Sequence, residues 1–457
     1  MLFRAQVDSM RSVLILISIS SILVSQVRFS PVLFVNYLSS GSDFQSSNDD
    51  IKIFGAGLKV KYKAEKLNIS AKFVNHRLYG SSSQNSVHNF NSLKGFSWVQ
   101  DPTQTGDSFD YDFADLDIRY KFTDSEFFYG KMSPQWGIGQ SKLIISDKSP
   151  SFPLFGFNWE VNDKISMEYF HGELKSSIQD ESSKSYYVDD AGKVKLSNIS
   201  RNIAAHRFIW SPLKNLSLVG TETVIYGVRG IDSHYLIPFI PFWSLQHYLG
   251  DTDNIQMAGE IIYSPSHKLK FYATIFMDEW APEKTFSKDN RNWFAYQSGL
   301  TCVQLLNNSD KLRLEFTWTD SRIYHHRFQV NDYYSHEYPL GFWGGPHAEE
   351  FYFSYYINML DVDWSLNISN AKRGEFTSLE TQYDNEIEDV KRFDGLVEKK
   401  LFIELEVKKS IYQELFMTAG ISYVDWKNAG FDPSGDDSQE LEDIQKTSLN
   451  LSLNYNY

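Results

Sequence analysis

Cysteine and long apolar runs are scarce in this chain of 457 residues. A single cysteine, Cys302, excludes an internal disulfide framework and any metal site built from several cysteines. The apolar run Val13–Val24 is about a dozen residues long, whereas a helix needs about 20 apolar residues to cross a bilayer. The sequence therefore predicts no transmembrane helix.

Positive charge is also in short supply. The chain has 44 Lys and Arg residues against 58 Asp and Glu residues, which gives a net charge of −14. Nucleic-acid binding requires a basic surface, because contacts with phosphates supply most of the affinity. The charge balance therefore argues against nucleic acid as a partner.

Aromatic residues, by contrast, are abundant. The chain contains 34 Phe, 27 Tyr and 11 Trp, together 16% of the residues. Rings at this density suit β-strands and membrane–water interfaces better than a soluble helical enzyme. The composition therefore favours one large β structure.

The N-terminus has the pattern of a secretory signal peptide. Arg11 precedes the apolar run Val13–Val24, and the small residue Ser25 follows it. A basic start, an apolar core and a small residue near the cleavage site direct a chain to export. We predict that residues 1–25 are a signal peptide, with either Met1 or Met10 as the start, and that residues 26–457 form the mature domain.

Short segments in which apolar and polar residues alternate recur along the mature chain. Leu58, Val60 and Tyr62 share one face of such a segment, while Lys59 and Lys61 share the other. A period of two is that of a β-strand with two different faces. The same alternation is found at 67–73, 116–122, 269–277, 312–318, 362–368 and 449–457.

The connections between these segments alternate in length. Short turns are found at 123–126, 211–215, 264–268 and 307–311, and long polar loops at 81–112, 179–200 and 377–399. Outer-membrane barrels have short turns on one side and long loops on the other, and each strand with its connection takes roughly 24 residues here. We predict an all-β fold, a transmembrane antiparallel β-barrel of about 18 strands with short periplasmic turns and long extracellular loops.

The end of the chain favours this barrel over a secreted β-sandwich or propeller. Leu449, Leu451, Leu453, Tyr455 and Tyr457 form one unbroken apolar face. A soluble protein seldom ends on such a strand, because an open edge invites aggregation, whereas a barrel closes it against the first strand. The ending also resembles the insertion signal of outer-membrane barrels, so we expect the barrel-insertion machinery, outer-membrane lipid and lipopolysaccharide as partners.

A glycine-containing turn, Trp136-Gly137-Ile138-Gly139, raises the question of a nucleotide site. A phosphate-binding loop would place a helix after the glycines. The segment Lys142–Ser146 that follows instead has the sequence of a strand. We therefore interpret the glycines as a bend or as a point of close approach by another group.

Three segments between about Gly130 and Phe353 contain motifs in a fixed order. Their residues are Trp136, Gly137, Gly139, Asp147, Pro150 and Pro153, then Glu222 and Tyr226, then Gln246, His247, Gly250, Asp251, Asp253 and Asn254. Together these segments resemble the Wzi family of outer-membrane capsule-assembly proteins. This chain has Ile138 and Lys148-Ser149 where the family usually has Pro and Asn-Ala. The resemblance implies an 18-stranded barrel that acts as a surface lectin for capsular polysaccharide or exopolysaccharide, with no cofactor.

A sugar site is predicted in the segment Trp243–Asn254. Rings bind the apolar faces of pyranoses, and amides and carboxylates bind their hydroxyls. The candidate ligand-binding residues are Trp243, Gln246, His247, Tyr248, Asp251, Asp253 and Asn254. Interfacial rings beside a structural turn are the alternative interpretation. We expect the segment at the barrel rim or across the lumen, and the negative net charge favours a weakly charged glycan.

Catalytic and metal-binding interpretations have less support. Carboxylate pairs hydrolyse glycosides, but nothing brings Asp251 and Asp253, or Asp278 and Glu279, to the separation required. The histidines of the region 325–347 lack the helical spacing of a metal site. We predict no metal and no enzyme, with a diffusion porin and, less strongly, a surface glycan hydrolase as alternatives.

Overall fold

The computed structural model describes residues 22–24, 27–82, 90–100, 106–280, 282–285, 292–376, 392–434 and 440–457. Within these residues, eighteen antiparallel strands form one closed barrel. The strands are β1 (Val27–Leu38), β2 (Ile51–Lys63), β3 (Leu67–Tyr79), β4 (Ser108–Lys121), β5 (Ser125–Met132), β6 (Phe152–Asn162), β7 (Ile165–Asp180), β8 (Ser197–Leu213), β9 (Leu216–Gly227), β10 (Asn254–Ser266), β11 (Leu269–Glu279), β12 (Trp293–Val303), β13 (Lys311–Thr319), β14 (Ala348–Met359), β15 (Val362–Gly374), β16 (Val397–Tyr412), β17 (Leu415–Ala429) and β18 (Glu442–Tyr455).

The last strand closes the barrel against the first, as the apolar ending predicts. β18 pairs with β1, with Tyr455 opposite Leu33 and Asn450 opposite Leu38. The predicted signal peptide lies outside the described residues except for Ile22–Val24, a short strand paired with the start of β1. The signal peptide therefore stays a prediction.

The two ends of the barrel differ as predicted. Short turns at one end join successive pairs of strands, for example residues 64–66, 122–124, 163–164 and 413–414. The connections at the other end are longer, for example residues 133–151, 228–253 and 320–347. Of the predicted loop 377–399, residues 377–391 lie outside the described part. The strand number and the alternation of turns and loops are confirmed.

The outer wall of the barrel is apolar. Phe54 and Leu58 on β2 are 49% and 45% exposed, and Leu449 and Leu451 on β18 are 51% and 50% exposed. Apolar surface in water costs about 25 cal/mol per Å². Such a wall is therefore stable when lipid covers it, as in outer-membrane barrels. No helix among the described residues is long and apolar enough to span a membrane.

The loop 133–151, which we call the plug segment, lies inside the lumen. Leu143, Ile144 and Ile145 are consecutive and at most 1% exposed, and their only strand-like pairing is a single bridge between Trp136 and Ile145. The prediction of a strand at Lys142–Ser146 is therefore wrong. Three consecutive apolar residues are buried here because protein surrounds the segment on all sides, whereas a wall strand would bury every second residue.

Candidate functional site

The plug segment crosses the lumen and is held on the far wall by Glu315. It begins after β5 and reaches β13, the eighth strand further round a barrel of eighteen. The carboxylate of Glu315 accepts hydrogen bonds from the backbone N–H groups of Gln140 and Ser141, each at 2.8 Å, and from the Tyr272 hydroxyl at 2.6 Å. A side chain at Gly139 would collide with that of Gln297, so the predicted close approach is found there.

Two lumenal lysines hold other loops in the opposite half of the lumen. Lys400 on β16 donates hydrogen bonds to the carbonyl oxygens of Phe90 at 2.8 Å and Asp43 at 3.1 Å. Lys446 on β18 donates to the carbonyl oxygens of Ser40 and Gln45, each at 2.7 Å. The described loops therefore fill both halves of the lumen at the loop end of the barrel.

Lys148 connects the two halves. Its ammonium donates hydrogen bonds to the carbonyl oxygens of Asn91 at 2.8 Å and Leu93 at 3.0 Å. Burial, together with the positive charges of Lys400 and Arg373, lowers the pKa of Lys148 to about 7. The ammonium group of Lys148 is thus buried at a position where a bound anion would stabilise its positive charge.

A cleft of about 320 Å³ opens at the loop end, above the plug segment. We call it the mouth cleft. Its lining combines cationic, acidic and aromatic side chains, namely Lys148, Lys175, Arg201, Arg373, Asp332, Glu337, Asp432, Tyr334, Tyr338, Trp343 and Phe376. None of these residues was predicted as a ligand-binding residue from the sequence. The feature of the sequence that could have indicated them is their position at the loop ends of strands and in the aromatic segment 334–343.

The first part of the predicted sugar-binding segment lies on the outer wall of the barrel, and not across the lumen. Its end lies at the rim, where the Asn331 amide donates a hydrogen bond to the carbonyl oxygen of Thr252 at 2.7 Å. Residues 228–253, which we call the outer segment, contain the helix α1 (Phe242–Tyr248). The ring of Phe242 stacks on His206 of β8 at 4.3 Å. His206 shares its face of β8 with Phe208 and Trp210, which are 42% and 51% exposed on the outside.

Glu222 and Tyr226 of the sequence motif hold the outer segment in place. The Glu222 carboxylate accepts hydrogen bonds from the backbone N–H groups of Phe242 at 2.7 Å and Trp243 at 2.8 Å. The Tyr226 hydroxyl accepts one from the N–H of Asp232 at 3.0 Å. Both motif residues therefore have structural roles in this chain.

The seven candidate ligand residues fall into two groups. Asp253, Gln246 and Asn254 bind other parts of the chain, whereas Trp243, His247, Tyr248 and Asp251 are exposed. Asp253 is fully buried, with the guanidinium of Arg229 at 2.6 and 2.9 Å and the Tyr235 hydroxyl at 2.6 Å.

Gln246 and Asn254 are also used internally. The Gln246 amide donates a hydrogen bond to the carbonyl oxygen of Asp253 at 2.8 Å, and the Asn254 amide donates one to that of Asn331 at 2.9 Å. Trp243 and Tyr248 are 55% and 81% exposed. The remaining two candidates, His247 and Asp251, form an exposed pair.

The other motif residues are mostly buried in the lumen. Trp136 packs edge-on against Phe170 at 4.9 Å, and Pro150 is buried. Asp147 and Pro153 are exposed. Gly137 has a φ of +114°, which requires glycine. Trp136 and the glycines therefore shape the plug segment.

The histidines of the region 325–347 serve packing. His347 stacks on Phe393 at 4.8 Å and shares a hydrogen bond with the carbonyl oxygen of Glu375. Over the described part of the chain, no group of three His, Cys, Asp or Glu residues is arranged to hold a metal ion. Asp278 accepts hydrogen bonds from the N–H of Tyr324 and the Gln256 amide.

One protein-family model matches most of the chain. It is the model of the capsule assembly protein Wzi, and it matches residues 65–440. The chain belongs to the Wzi family. Escherichia coli Wzi, an outer-membrane protein, shares 12% identity with it at a TM-score of 0.58, over 94% of this chain and 85% of that one. A comparison with curated protein sequences finds no match.

Two further solved structures also match, at lower similarity. Acinetobacter baumannii OccAB3 shares 11% identity at a TM-score of 0.45, over 94% of this chain and 99% of that one. Pseudomonas aeruginosa OccK7 shares 9% identity at a TM-score of 0.48, over 94% and 99%.

Family and fold together confirm several of the sequence predictions. This Wzi family member is an outer-membrane β-barrel of eighteen strands. Its family is one of capsule assembly proteins and not of enzymes, in agreement with the prediction of a non-catalytic chain.

Proposed function

We propose that this Wzi family member binds a capsular polysaccharide or exopolysaccharide at the mouth cleft and holds the polymer at the cell surface. Family membership supports a role in capsule assembly. Escherichia coli Wzi is itself described as a carbohydrate-binding β-barrel involved in Group 1 capsule assembly.

The composition of the mouth cleft is the observation that carries the proposal. A glycan needs rings for its apolar faces and charged or amide groups for its hydroxyls and carboxylates. The cleft offers Tyr334 and Phe376 beside Lys175 and Asp332 in one space of about 320 Å³. It also opens at the loop end, where a surface polymer arrives.

The filled lumen favours binding over diffusion. The plug segment spans from β5 to β13, and the loops held by Lys400 and Lys446 occupy the other half. A diffusion porin needs a continuous aqueous path through the barrel. We therefore expect no steady conductance from the purified protein in planar bilayers.

The test compares two sets of variants in purified protein and in cells. Lys175 and Gln329 both line the mouth cleft. Lys175→Ala with Gln329→Ala therefore changes the cleft, and Trp243→Ala with Gln246→Ala changes the segment predicted from the sequence. Binding of purified surface polysaccharide and the amount of cell-bound polymer are measured, and a heat-modifiability gel confirms that each barrel is folded. We expect the cleft variant to lose binding at least several-fold and the second variant to keep it.

The opposite results identify the alternatives. Loss of binding only in the Trp243→Ala, Gln246→Ala variant would move the site to the residues predicted from sequence. Unchanged binding in both variants would contradict a site at either place. Shortening of the polysaccharide by the parent protein would instead indicate a hydrolase.

A further inference from the structure

Two ionisable residues occupy the outer wall of the barrel at membrane depth. Glu222 is six residues beyond Leu216, the short-turn end of β9, and it pairs with His206 across the strands. A rise of about 3.4 Å per residue and a tilt of about 45° place Glu222 roughly 15 Å above that end, inside an apolar band about 25 Å tall. A carboxylate facing lipid at that depth is unfavourable.

The outer segment covers these groups. Tyr235 and Phe242 are fully buried against Ala204 and Val224 of the outer wall, and Leu245 joins the same cluster. His206 and Glu222 lie beneath them at 3.0 Å from each other. Because the segment packs on a wall at membrane depth, it lies at that depth itself.

The backbone of the outer segment is suited to a lipid environment. Lipid offers no hydrogen-bond partners, so exposed backbone N–H groups are not tolerated there. Pro238 and Pro241 have no N–H group. Most of the neighbouring N–H groups donate within the segment or to Glu222, namely those of Tyr235, Ile237, Ile240, Phe242, Trp243, Ser244, Leu245 and Leu249.

Within residues 236–243 of the outer segment, the side chains that point away from the barrel are apolar. Ile237, Phe239 and Trp243 are 45%, 61% and 55% exposed, and Leu236 and Ile240 are exposed beside them. The ring of Phe239 lies 6.3 Å from that of Trp159 on β6, which belongs to the exposed outer wall. The apolar face of the segment thus continues the lipid-facing wall of the barrel.

We propose that the outer segment is embedded in the outer membrane and contacts lipid acyl chains through Leu236, Ile237, Phe239, Ile240 and Trp243. A loop from the long-loop end of the barrel thereby folds back along the wall and anchors the protein laterally in the bilayer. In this position Trp243 meets lipid and not a sugar ring.

Site-directed spin labelling tests this placement. Cys302→Ser removes the native thiol, and Phe239→Cys carries a nitroxide in proteoliposomes of phospholipid and lipopolysaccharide. Phe316→Cys on the outer wall and Tyr187→Cys in the loop 181–196 are the matched controls, since these residues are 43% and 57% exposed. The accessibility of each nitroxide to oxygen and to a water-soluble nickel complex is measured, and a heat-modifiability gel confirms folding. Ile237→Cys replaces Phe239→Cys if the latter does not fold.

We expect the oxygen-to-nickel ratio at position 239 to equal that at position 316 and to exceed that at position 187 several-fold. A ratio at 239 equal to that at 187 would place the segment in water and overturn the proposal. Strong spin–spin broadening at 239 would show a second copy of the chain on this face, which would also overturn it.

Discussion

Glu315 and Ser141, 174 residues apart in sequence, are joined inside the barrel by a hydrogen bond of 2.8 Å from the Ser141 N–H to the Glu315 carboxylate. The same carboxylate accepts the N–H of Gln140. Backbone donors of the plug segment are thus satisfied by a charged group on the far wall. Glu315 is therefore one of the wall residues that hold the plug segment across the lumen.

We predict that Glu315→Ala loosens the plug segment and opens the barrel to ions. Each hydrogen bond to a charged group contributes about 1.5–3 kcal/mol, and two backbone donors lose their partner at once. Single-channel conductance in planar bilayers should rise from none to steady openings. Cells with this variant should also become more sensitive to large antibiotics.

Glu404→Ala is the matched control for this prediction. Glu404 is a carboxylate of β16, on the wall where the loops held by Lys400 lie and away from the plug segment. It should leave the barrel closed. Equal conductance in both variants would show that the lumen opens for reasons other than the contact with Glu315.

The sequence was sufficient to predict the barrel wall. Leu58 and Lys59 point to opposite faces because a strand has a period of two, and the lipid and the lumen select different residue types. The plug segment could not be recognised in the same way. The run Leu143–Ile145 is as apolar as a buried strand, and only its long-range partners, such as Tyr324 and Tyr333, place it inside the lumen.

The candidate site was predicted less well than the fold. Asp253 and Gln246 have the chemistry of sugar ligands, but Arg229 and the backbone of Asp253 already bind them. A local motif cannot show that its polar groups have partners elsewhere. The position of Glu222 could have indicated the outer segment, because an ionisable residue on the outward face of a barrel strand must be shielded from lipid by another part of the chain.

We expect Lys148 to make the free energy of releasing the plug segment from its packed position depend on pH. Its lowered pKa of about 7 means that the packed plug binds this proton less tightly than a released plug does. The free energy of release should therefore rise with pH from about 7 to the ordinary lysine pKa of about 10.4, and this residue contributes no slope below 7. Hydrogen exchange of the Ile145 amide, corrected for intrinsic rates, measures the effect.

Lys148→Met is the control for the pH dependence. Methionine fills a similar volume without a titrating group, so the rise with pH of the free energy of release, measured at Ile145, should then be smaller than in the parent protein. A parent protein whose corrected exchange slows on lowering the pH below 7 would contradict the assignment to Lys148.

Asp253 and Asp251 should respond differently to the same substitution. Asp253→Ala removes the partner of Arg229 and of the Tyr235 hydroxyl, at a cost of about 2 kcal/mol. Limited trypsin digestion should then cleave after Arg229, a site protected in the parent. Asp251→Ala removes only an exposed contact with His247 and should leave the digestion pattern unchanged. Cleavage in both variants would mean that the bidentate ion pair between Arg229 and Asp253 does not hold the outer segment in place.

Glu222→Ala should release the start of α1 from the barrel wall. The carboxylate is the partner of the Phe242 and Trp243 amides, and losing such a cap costs about 1–2 kcal/mol. Hydrogen exchange at these two amides should accelerate, and Glu222→Gln should give a smaller change because its amide oxygen still accepts one bond. Glu173→Ala, which removes an exposed carboxylate from neighbouring β7, is the control and should change nothing. Exchange that is unaffected by Glu222→Ala would show that apolar packing of Phe242 and Tyr235 alone holds the outer segment. The need to shield Glu222 from lipid would then no longer explain why the outer segment lies on the barrel wall.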